Sequence, residues 1–312
     1  MEGKLRRLGT SLEAQVEQCY GLQDVALEDL KVAVNDVFAV TTPHGRFALK
    51  LYHRHPRDIA DVQWELDLVL HLVKRGAPVV EPVAGHRGYV ESFWLDGRER
   101  VGALFVWADG GTPKPDHSTY VLLGRAAAQI HQAADTFTSP LPRHRYDYDA
   151  DVLIDDQLRR MERHLTEAKR WHEIVALGER LKQSLAQPGL DRGVCHMDLT
   201  LGNVHQSGPT IAVFDFDSAG RCWRAHEPYG VLRFSAAYFL DWLAGYRSIR
   251  PFGEADERAV PAFAIVGDLR IVAWKLGVAE SSRSAPRLTA DDLPSVVDGW
   301  LAWERQHLPG RP

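Results

Sequence analysis

Up to about Ala108, apolar residues come in short runs that alternate with polar ones; beyond it they recur every three or four residues. In the first region "VFAV" at 37–40 and "RFALKLY" at 46–52 flank the turn "TPHG" at 42–45, a pattern that predicts a β-hairpin. Residues 57–75 then carry Ile59, Val62, Leu66, Val69, Leu70 and Val73 at helical spacing. Lys74 and Arg75 before Gly76 supply the C-terminal stop, so an amphipathic helix is expected. Strands are expected around "YVESFWL" and "VGALFVWA", after which "DGGTPKP" breaks the pattern and marks a candidate hinge.

Downstream the periodicity predicts helices in "STYVLLGRAAAQIHQAAD" from Ser118, "DVLIDDQLRRMERHLTEAKRW" from Asp151 and "EIVALGERLKQSLA" from Glu173. "TIAVFDF" reads as a strand. Helices resume in "YGVLRFSAAYFLDWLAGY", "AVPAFAIVGDLRIVAWKLGVAESS" and "LPSVVDGWLAWERQHL". The outline is an α+β protein, with a small N-terminal lobe over 1–108 and a larger, mostly helical lobe over 109–312. Tyr238, Phe239, Trp242, Tyr246, Trp274, Trp300 and Trp303 fall in these helices and are expected mostly in the core.

Composition narrows the class. With 312 residues and 45% hydrophobic content, the chain can bury a sizeable core. A net charge of −5 gives no general attraction to nucleic acid or anionic membranes. No apolar run reaches membrane-spanning length, and "MEGKLRRLGTSLEAQ" lacks the apolar segment of a signal peptide, so a cytoplasmic protein is expected. Cys19, Cys195 and Cys222 have no CxxC spacing and suggest neither disulfides nor zinc. His44, His53 and His55 lack companion ligands at metal spacing and are read as loop histidines.

Candidate chemistry concentrates in "VCHMDLTLGNVHQSGPTIAVFDFDSAG", Val194 to Gly220. Mg²⁺ takes oxygen ligands and only one or two protein side chains, the rest being water and phosphate. Asn203 and Asp215 suit such a pair, while Asp198 could accept a hydrogen bond from an attacking hydroxyl. Kinase catalytic loops place an Asp, four residues, an Asn and then a metal-binding Asp, and His196-Met197-Asp198, Asn203 and Asp215-Phe216-Asp217 repeat that order. The same template requires an upstream strand Lys and a helix Glu. Alternation puts Lys50 opposite the face of Phe47, Leu49 and Leu51, and Glu65 borders the apolar stripe of the following helix, so these two are expected to pair.

At these motifs the chain resembles the aminoglycoside phosphotransferase and choline-kinase-like group, which has a two-lobed protein-kinase-like fold. The resemblance runs from about Asn35 to the C-terminal helices and is sharpest at "VCHMDLTLGNV" and "IAVFDFD". It implies ATP, with GTP also compatible, and Mg²⁺ as cofactors. Asp198 would be the catalytic base, Asn203 and Asp215 the metal ligands, and Lys50 with Glu65 the phosphate-positioning pair. Backbone groups of Phe105, Trp107 and Ala108 in "FVWA" would meet the adenine, and Glu227 in "HEPYGVLRF" would brace the catalytic loop. His196 and Asp217 are supporting positions. Three departures stand out: Met197 where Gly is usual, Glu227 where Asp is commoner, and no glycine in the phosphate loop "VAVNDVFAV".

The expected activity is phosphorylation of a hydroxyl on a small molecule by a monomer or homodimer. Acceptors compatible with the resemblance are antibiotics, as in antibiotic resistance, amino alcohols, homoserine, sugars and, in a bacterial protein kinase of this group, Ser/Thr. Asp241, Glu254, Asp256, Glu257 and Asp268 could attract a cationic acceptor or form an ordinary acidic face. A nucleotide-binding pseudokinase and a carboxylate-rich metal phosphoesterase are the alternatives from other classes.

Overall fold

A computed structural model of the protein describes residues 10–32, 35–52, 59–141, 147–165, 167–279 and 288–308. His53 and His55 lie outside these residues. The chain divides into two compact units: Met1–Thr112 with Thr136–Arg143 and Asn203–Asp217, and Pro113–Asp135 with His144–Gly202 and Ser218–Pro312.

The first unit is built on an antiparallel sheet. Helix α1 (Leu12–Tyr20) precedes β1 (Ala26–Val32), β2 (Asn35–Thr42) and β3 (Gly45–Tyr52); α2 (Ile59–Lys74), β4 (Pro82–Val83), β5 (Glu91–Leu95) and β6 (Arg98–Val106) follow. The strand order is β1-β2-β3-β6-β4, with β5 also on β6. The expected hairpin is β2–β3, where Thr42 pairs with Gly45 across Pro43 and His44. His44 is exposed at this turn. The alternation in β3 sorts its side chains as the pattern predicts. Leu49 and Leu51 join Val16 and Cys19 of α1, Val40, Phe93 and Leu104 in one buried cluster. Tyr52 packs on the other side with Val62 and Leu66 of α2 and Ala103. Each fully buried aliphatic side chain in these layers contributes about 1.5–3 kcal/mol of transfer free energy. A methyl at Gly102 would run into Leu51 and Phe93, so glycine permits that layer to close. The same unit takes in the distant hairpin β8 (Val204–Ser207) and β9 (Thr210–Val213), fastened by backbone bonds from Val80 N–H to Val213 carbonyl (2.9 Å) and Gln206 N–H to Gly111 carbonyl (2.9 Å).

The second unit is mostly helical: α3 (His117–Ala134), α4 (Asp156–Glu162) entered through a π-helical turn Asp151–Asp155, α5 (Ala168–Leu185), α6 (Tyr229–Phe234), α7 (Ala236–Arg247), α8 (Glu254–Ala279) and α9 (Leu293–His307). A two-stranded ribbon of β7 (Arg192–Cys195) and β10 (Gly220–Trp223) completes it. Asp116 caps α3 by accepting from Thr119 N–H. Helices α3 and α7 pack so closely that a methyl at Gly124 would strike the Trp242 carbonyl and one at Gly245 the Val121 carbonyl.

Two expected helices are divided. The segment from Asp151 breaks after Glu162, because its apolar stripe ends at Leu165 and resumes at Ile174. "YGVLRFSAAYFLDWLAGY" breaks at Ser235, whose extended backbone (φ −161°) and side chain cap α7 through Tyr238 N–H. Trp242, Tyr246 and Trp300 are fully buried core residues, whereas Trp274 is 41% exposed. All three cysteines are buried. No helix among the described residues is long and apolar enough to cross a membrane.

Candidate active site

Lys50 is the centre of the first unit's polar cluster. It is 6% exposed, and its ammonium lies 3.1 Å from Glu65 Oε1, 2.7 Å from Asp215 Oδ1 and 3.8 Å from Asp217 Oδ2. Strand alternation delivers Lys50 to this face, and the α2 stripe delivers Glu65, itself 3% exposed. Burial alone would favour loss of the lysine proton. The carboxylates of Asp215 and Glu65 outweigh it, with Tyr52 and Asp217 adding smaller contributions, so the pKa lies well above its ordinary value and the ammonium is permanent at neutral pH. The ring of Tyr52 lies under the cation at 4.5 Å. Asn35 Nδ2 donates to Asp217 Oδ2 at 2.7 Å and links the start of β2 to the "DFD" segment.

The β8–β9 hairpin sets the candidate metal ligands. Phe214 N–H donates to the Asn203 carbonyl at 3.0 Å, continuing the ladder beyond Val204 and Val213, so Asn203 and Asp215 emerge from one end of one hairpin. Asp215 sits in the left-handed region at φ 68°, which turns its side chain out of the strand direction toward Lys50. An amide oxygen and a carboxylate are hard donors of the kind Mg²⁺ accepts, in the number it takes from protein. Groups of three or more His, Cys, Asp or Glu arranged to hold a metal are absent among the described residues.

Of the "FVWA" backbone, two groups are already engaged: Val106 N–H donates to the Glu81 carbonyl at 2.9 Å, and the Ala108 carbonyl accepts from His205 Nδ1 at 2.9 Å. Phe105 is half-buried opposite Ala48, and the Arg46 guanidinium lies 3.9 Å above the Trp107 ring. A cleft of about 330 Å³ opens beside this segment, lined by Val80, Glu81, Trp107, Ala108, His205 and Ile211 among others, but not by Lys50 or Asp215.

In the second unit Glu227 holds the turn that carries Asp198. Its two oxygens accept from the backbone N–H groups of His196 (3.0 Å) and Met197 (2.9 Å). Met197 has φ 69°, a conformation natural to glycine that here a methionine adopts under these two bonds. Asp198 N–H in turn donates to His196 Nδ1 at 3.3 Å, a backbone-fixing contact. Burial would raise the Glu227 pKa. The hydrogen bond and charge of His131, the charge of His196 and the Met197 amide overcome it and bring the pKa down to about 2. His131 Nε2 stands 3.4 Å from Glu227, and its Nδ1 shares a 2.8 Å hydrogen bond with the Tyr246 hydroxyl. With Tyr246 donating to Nδ1, the proton on Nε2 faces the carboxylate.

Asn35, Tyr52, His131 and His205, with Tyr246 from the expected core aromatics, are thus parts of these clusters to which the sequence pattern assigned no role at the site. His131 alone carried a local signal, as an imidazole among Ala127, Ile130 and Ala134 on an apolar helix face. Every acid considered for attracting a cation is engaged within its own unit. Asp241 meets His117 and Glu254 meets Arg258; Asp256 accepts from Asp191 N–H, Glu257 from Arg247, and Asp268 from Arg233 and Trp300.

Known proteins resemble this chain over most of its length. A homoserine kinase of Rhodospirillum rubrum is 27% identical over 256 residues, covering 78% of this chain and 77% of that protein. The structure of amicoumacin kinase hAmiN superposes with a TM-score of 0.74 at 20% identity, over 98% of this chain and 96% of the other. That of a microcompartment-associated aminopropanol kinase has a TM-score of 0.74 at 23% identity, over 94% and 96%. Both superpositions show a protein-kinase-like fold. Residues 29–260 match the phosphotransferase enzyme family, and the chain belongs to it: it is a small-molecule kinase that transfers a phosphoryl group to a hydroxyl.

Proposed function

We propose that the enzyme transfers the γ-phosphoryl group of ATP to the hydroxyl of a small metabolite of the amino-alcohol or hydroxy-amino-acid class. The observation that carries the nucleotide side is the buried Lys50, held by Glu65 and Asp215 in one unit. A permanent ammonium of fixed direction is what α- and β-phosphate oxygens require. Asn203 and Asp215 would hold Mg²⁺, which when bound neutralises charge on the phosphates. Trp107 and the Ala108 N–H supply the backbone for the base, since the Val106 N–H and the Ala108 carbonyl are engaged.

Asp198 is assigned as the base. The acceptor oxygen forms its bond to the γ-phosphorus while the bond from that phosphorus to the bridging oxygen of ADP breaks, and the hydroxyl proton passes to Asp198. Glu227 and His196 keep the Asp198 backbone in place for this step. The acceptor class is supported by the homoserine kinase relative, which aligns over most of both chains. A second reading, an antibiotic acceptor, is favoured by one surface feature: Tyr120, Tyr238 and Phe234 form a stacked tier with centroids 4.6 and 5.9 Å apart, and Phe234 is 64% exposed, a flat face for a larger ring system.

The test is a phosphate-transfer screen over amino alcohols, hydroxy amino acids, sugars and antibiotics, read by ADP release and by ³¹P NMR of the product. Asp198→Ala is expected to abolish transfer while leaving ATP affinity essentially unchanged. Near wild-type turnover in that variant would remove Asp198 from the mechanism.

A further inference from the structure

Several described arginines of the second unit are tied to carboxylates: Arg224 and Arg250 to Asp135 and Asp191, Arg192 to Asp147, Arg233 to Asp268, Arg247 to Glu257. Arg270 of α8 is different. It is half-buried, forms no ion pair among the described residues, and its buried Nη1 donates to no protein group. The Tyr148 ring lies 5.7 Å from its guanidinium carbon. A guanidinium partly removed from water without an acceptor is costly, and native proteins rarely leave one so.

The packing around Arg270 leads toward the turn that carries Asp198. One turn earlier on the same face is Gly267, where a methyl would collide with the Tyr229 ring, so the glycine lets Tyr229 lie directly against α8. The Tyr229 hydroxyl feels both charges: burial pushes its pKa up to about 12, with Arg270 opposing and Asp198 adding to the rise. His226 stacks edge-on to Tyr229 at 4.8 Å, is 1% exposed, and neither of its ring nitrogens has a hydrogen-bond partner. His226 directly precedes Glu227, whose carboxylate holds the His196 and Met197 N–H groups ahead of Asp198, so unsatisfied nitrogens collect around Tyr229 next to the brace of the assigned base.

We propose that Arg270 is the acceptor-recognition residue and that it binds a carboxylate, so that the substrate is a small hydroxy acid rather than a simple amino alcohol; this rests on the kinase reading above. The planar guanidinium fork matches a carboxylate with two parallel hydrogen bonds. One unpaired guanidinium balances one negative charge. A dianionic phosphate would call for a second cation, and Arg233 and Arg192 are already neutralised. An amino alcohol brings only positive charge, which Arg270 repels.

Matched acceptors that differ only in the carboxylate give the test: L-homoserine against 3-aminopropan-1-ol, and L-serine against 2-aminoethanol. Phosphate transfer and calorimetric binding are measured for the wild type, Arg270→Ala, Arg270→Gln and Arg270→Lys, with thermal midpoints to confirm folding. The expected result is preference for the acid of a pair by tenfold or more, lost in Arg270→Ala and Arg270→Gln through a KM rise of about 10- to 100-fold. The KM for ATP stays unchanged, and Arg270→Lys recovers part of the affinity. Equal or better use of the amino alcohols by the wild type, or an unchanged KM for the acid in Arg270→Ala, overturns the inference while leaving the kinase assignment intact. If no acceptor in the broad screen is phosphorylated, the kinase reading fails. Calorimetry still judges Arg270: acid binding that depends on it supports the anion site, and absence of acid binding refutes it.

Discussion

Glu227→Gln isolates the brace behind Asp198. The substitution keeps size and burial but replaces two accepting oxygens with one, so either the His196 or the Met197 N–H loses its acceptor. A buried donor left unpaired costs about 1–3 kcal/mol. Linkage gives a comparable figure. Lowering the pKa from the ordinary 4.5 to about 2 in the folded protein corresponds to about 3 kcal/mol of stability at neutral pH. Because the folded pKa is the lower one, this stability is present above pH 4.5 and fades as pH falls from there toward 2. Gln does not titrate, so the stability gap between wild type and variant should be about 2–3 kcal/mol at pH 7 and should narrow below pH 4.5. Met197, held at φ 69° at an intrinsic cost of about 1–2 kcal/mol, would relax once one bond is lost and carry Asp198 with it. A displacement of about 1 Å at a reacting group lowers turnover about a hundredfold. Urea unfolding followed by tryptophan fluorescence across pH, with kcat and the KM for ATP, tests this. Wild-type kcat in the variant, or a gap that widens on acidification, refutes the reasoning.

Lys50→Met leaves the buried Glu65 carboxylate without its cation and should destabilise the first unit by about 3–5 kcal/mol, while titration with a fluorescent nucleotide reports at least tenfold weaker binding; unchanged affinity would favour a metal phosphoesterase. Gly245→Ala should force α3 and α7 apart against the Val121 carbonyl and cost about 1–3 kcal/mol, seen as a lower thermal midpoint. A methyl at Gly230, which meets nothing within 4 Å, should leave the midpoint unchanged or slightly raised, so equal effects at the two glycines would contradict the packing account.

The hairpin, α2 and the pairing of Lys50 with Glu65 were legible because each follows from a local period: alternation fixes which face a strand residue takes, and the 3.6-residue repeat fixes the helix stripe. Helix α1 and the short strands β7, β8 and β10 were not. Four-residue strands hold too few alternations to register, and α1 mixes Glu13, Gln15, Glu17 and Gln18 with its apolar positions. The break at Ser235 was hidden because the apolar spacing runs on through it, and only the capping geometry marks the boundary. The supports of the site were less legible still. Asn35 reaches Asp217 across 182 positions and His131 reaches Tyr246 across 115, and no local pattern encodes such distances.

What the sequence determined by itself was the inventory and phase of the chemistry: Asp198, Asn203 and Asp215 in kinase order, with a lysine and a glutamate upstream. What only the tertiary structure decided was which charges are spent. Asp268 and Arg270 stand two residues apart on α8, alike in sequence as surface charges. Packing brings Arg233 and Trp300 to the first, whereas the second lies by the Tyr148 ring and has no carboxylate partner among the described residues. Ion pairing depends on distances and desolvation that are set once helices meet, so the acids that could have attracted a cation are engaged by arginine, histidine or backbone N–H groups, while Arg270 has no carboxylate partner among the described residues.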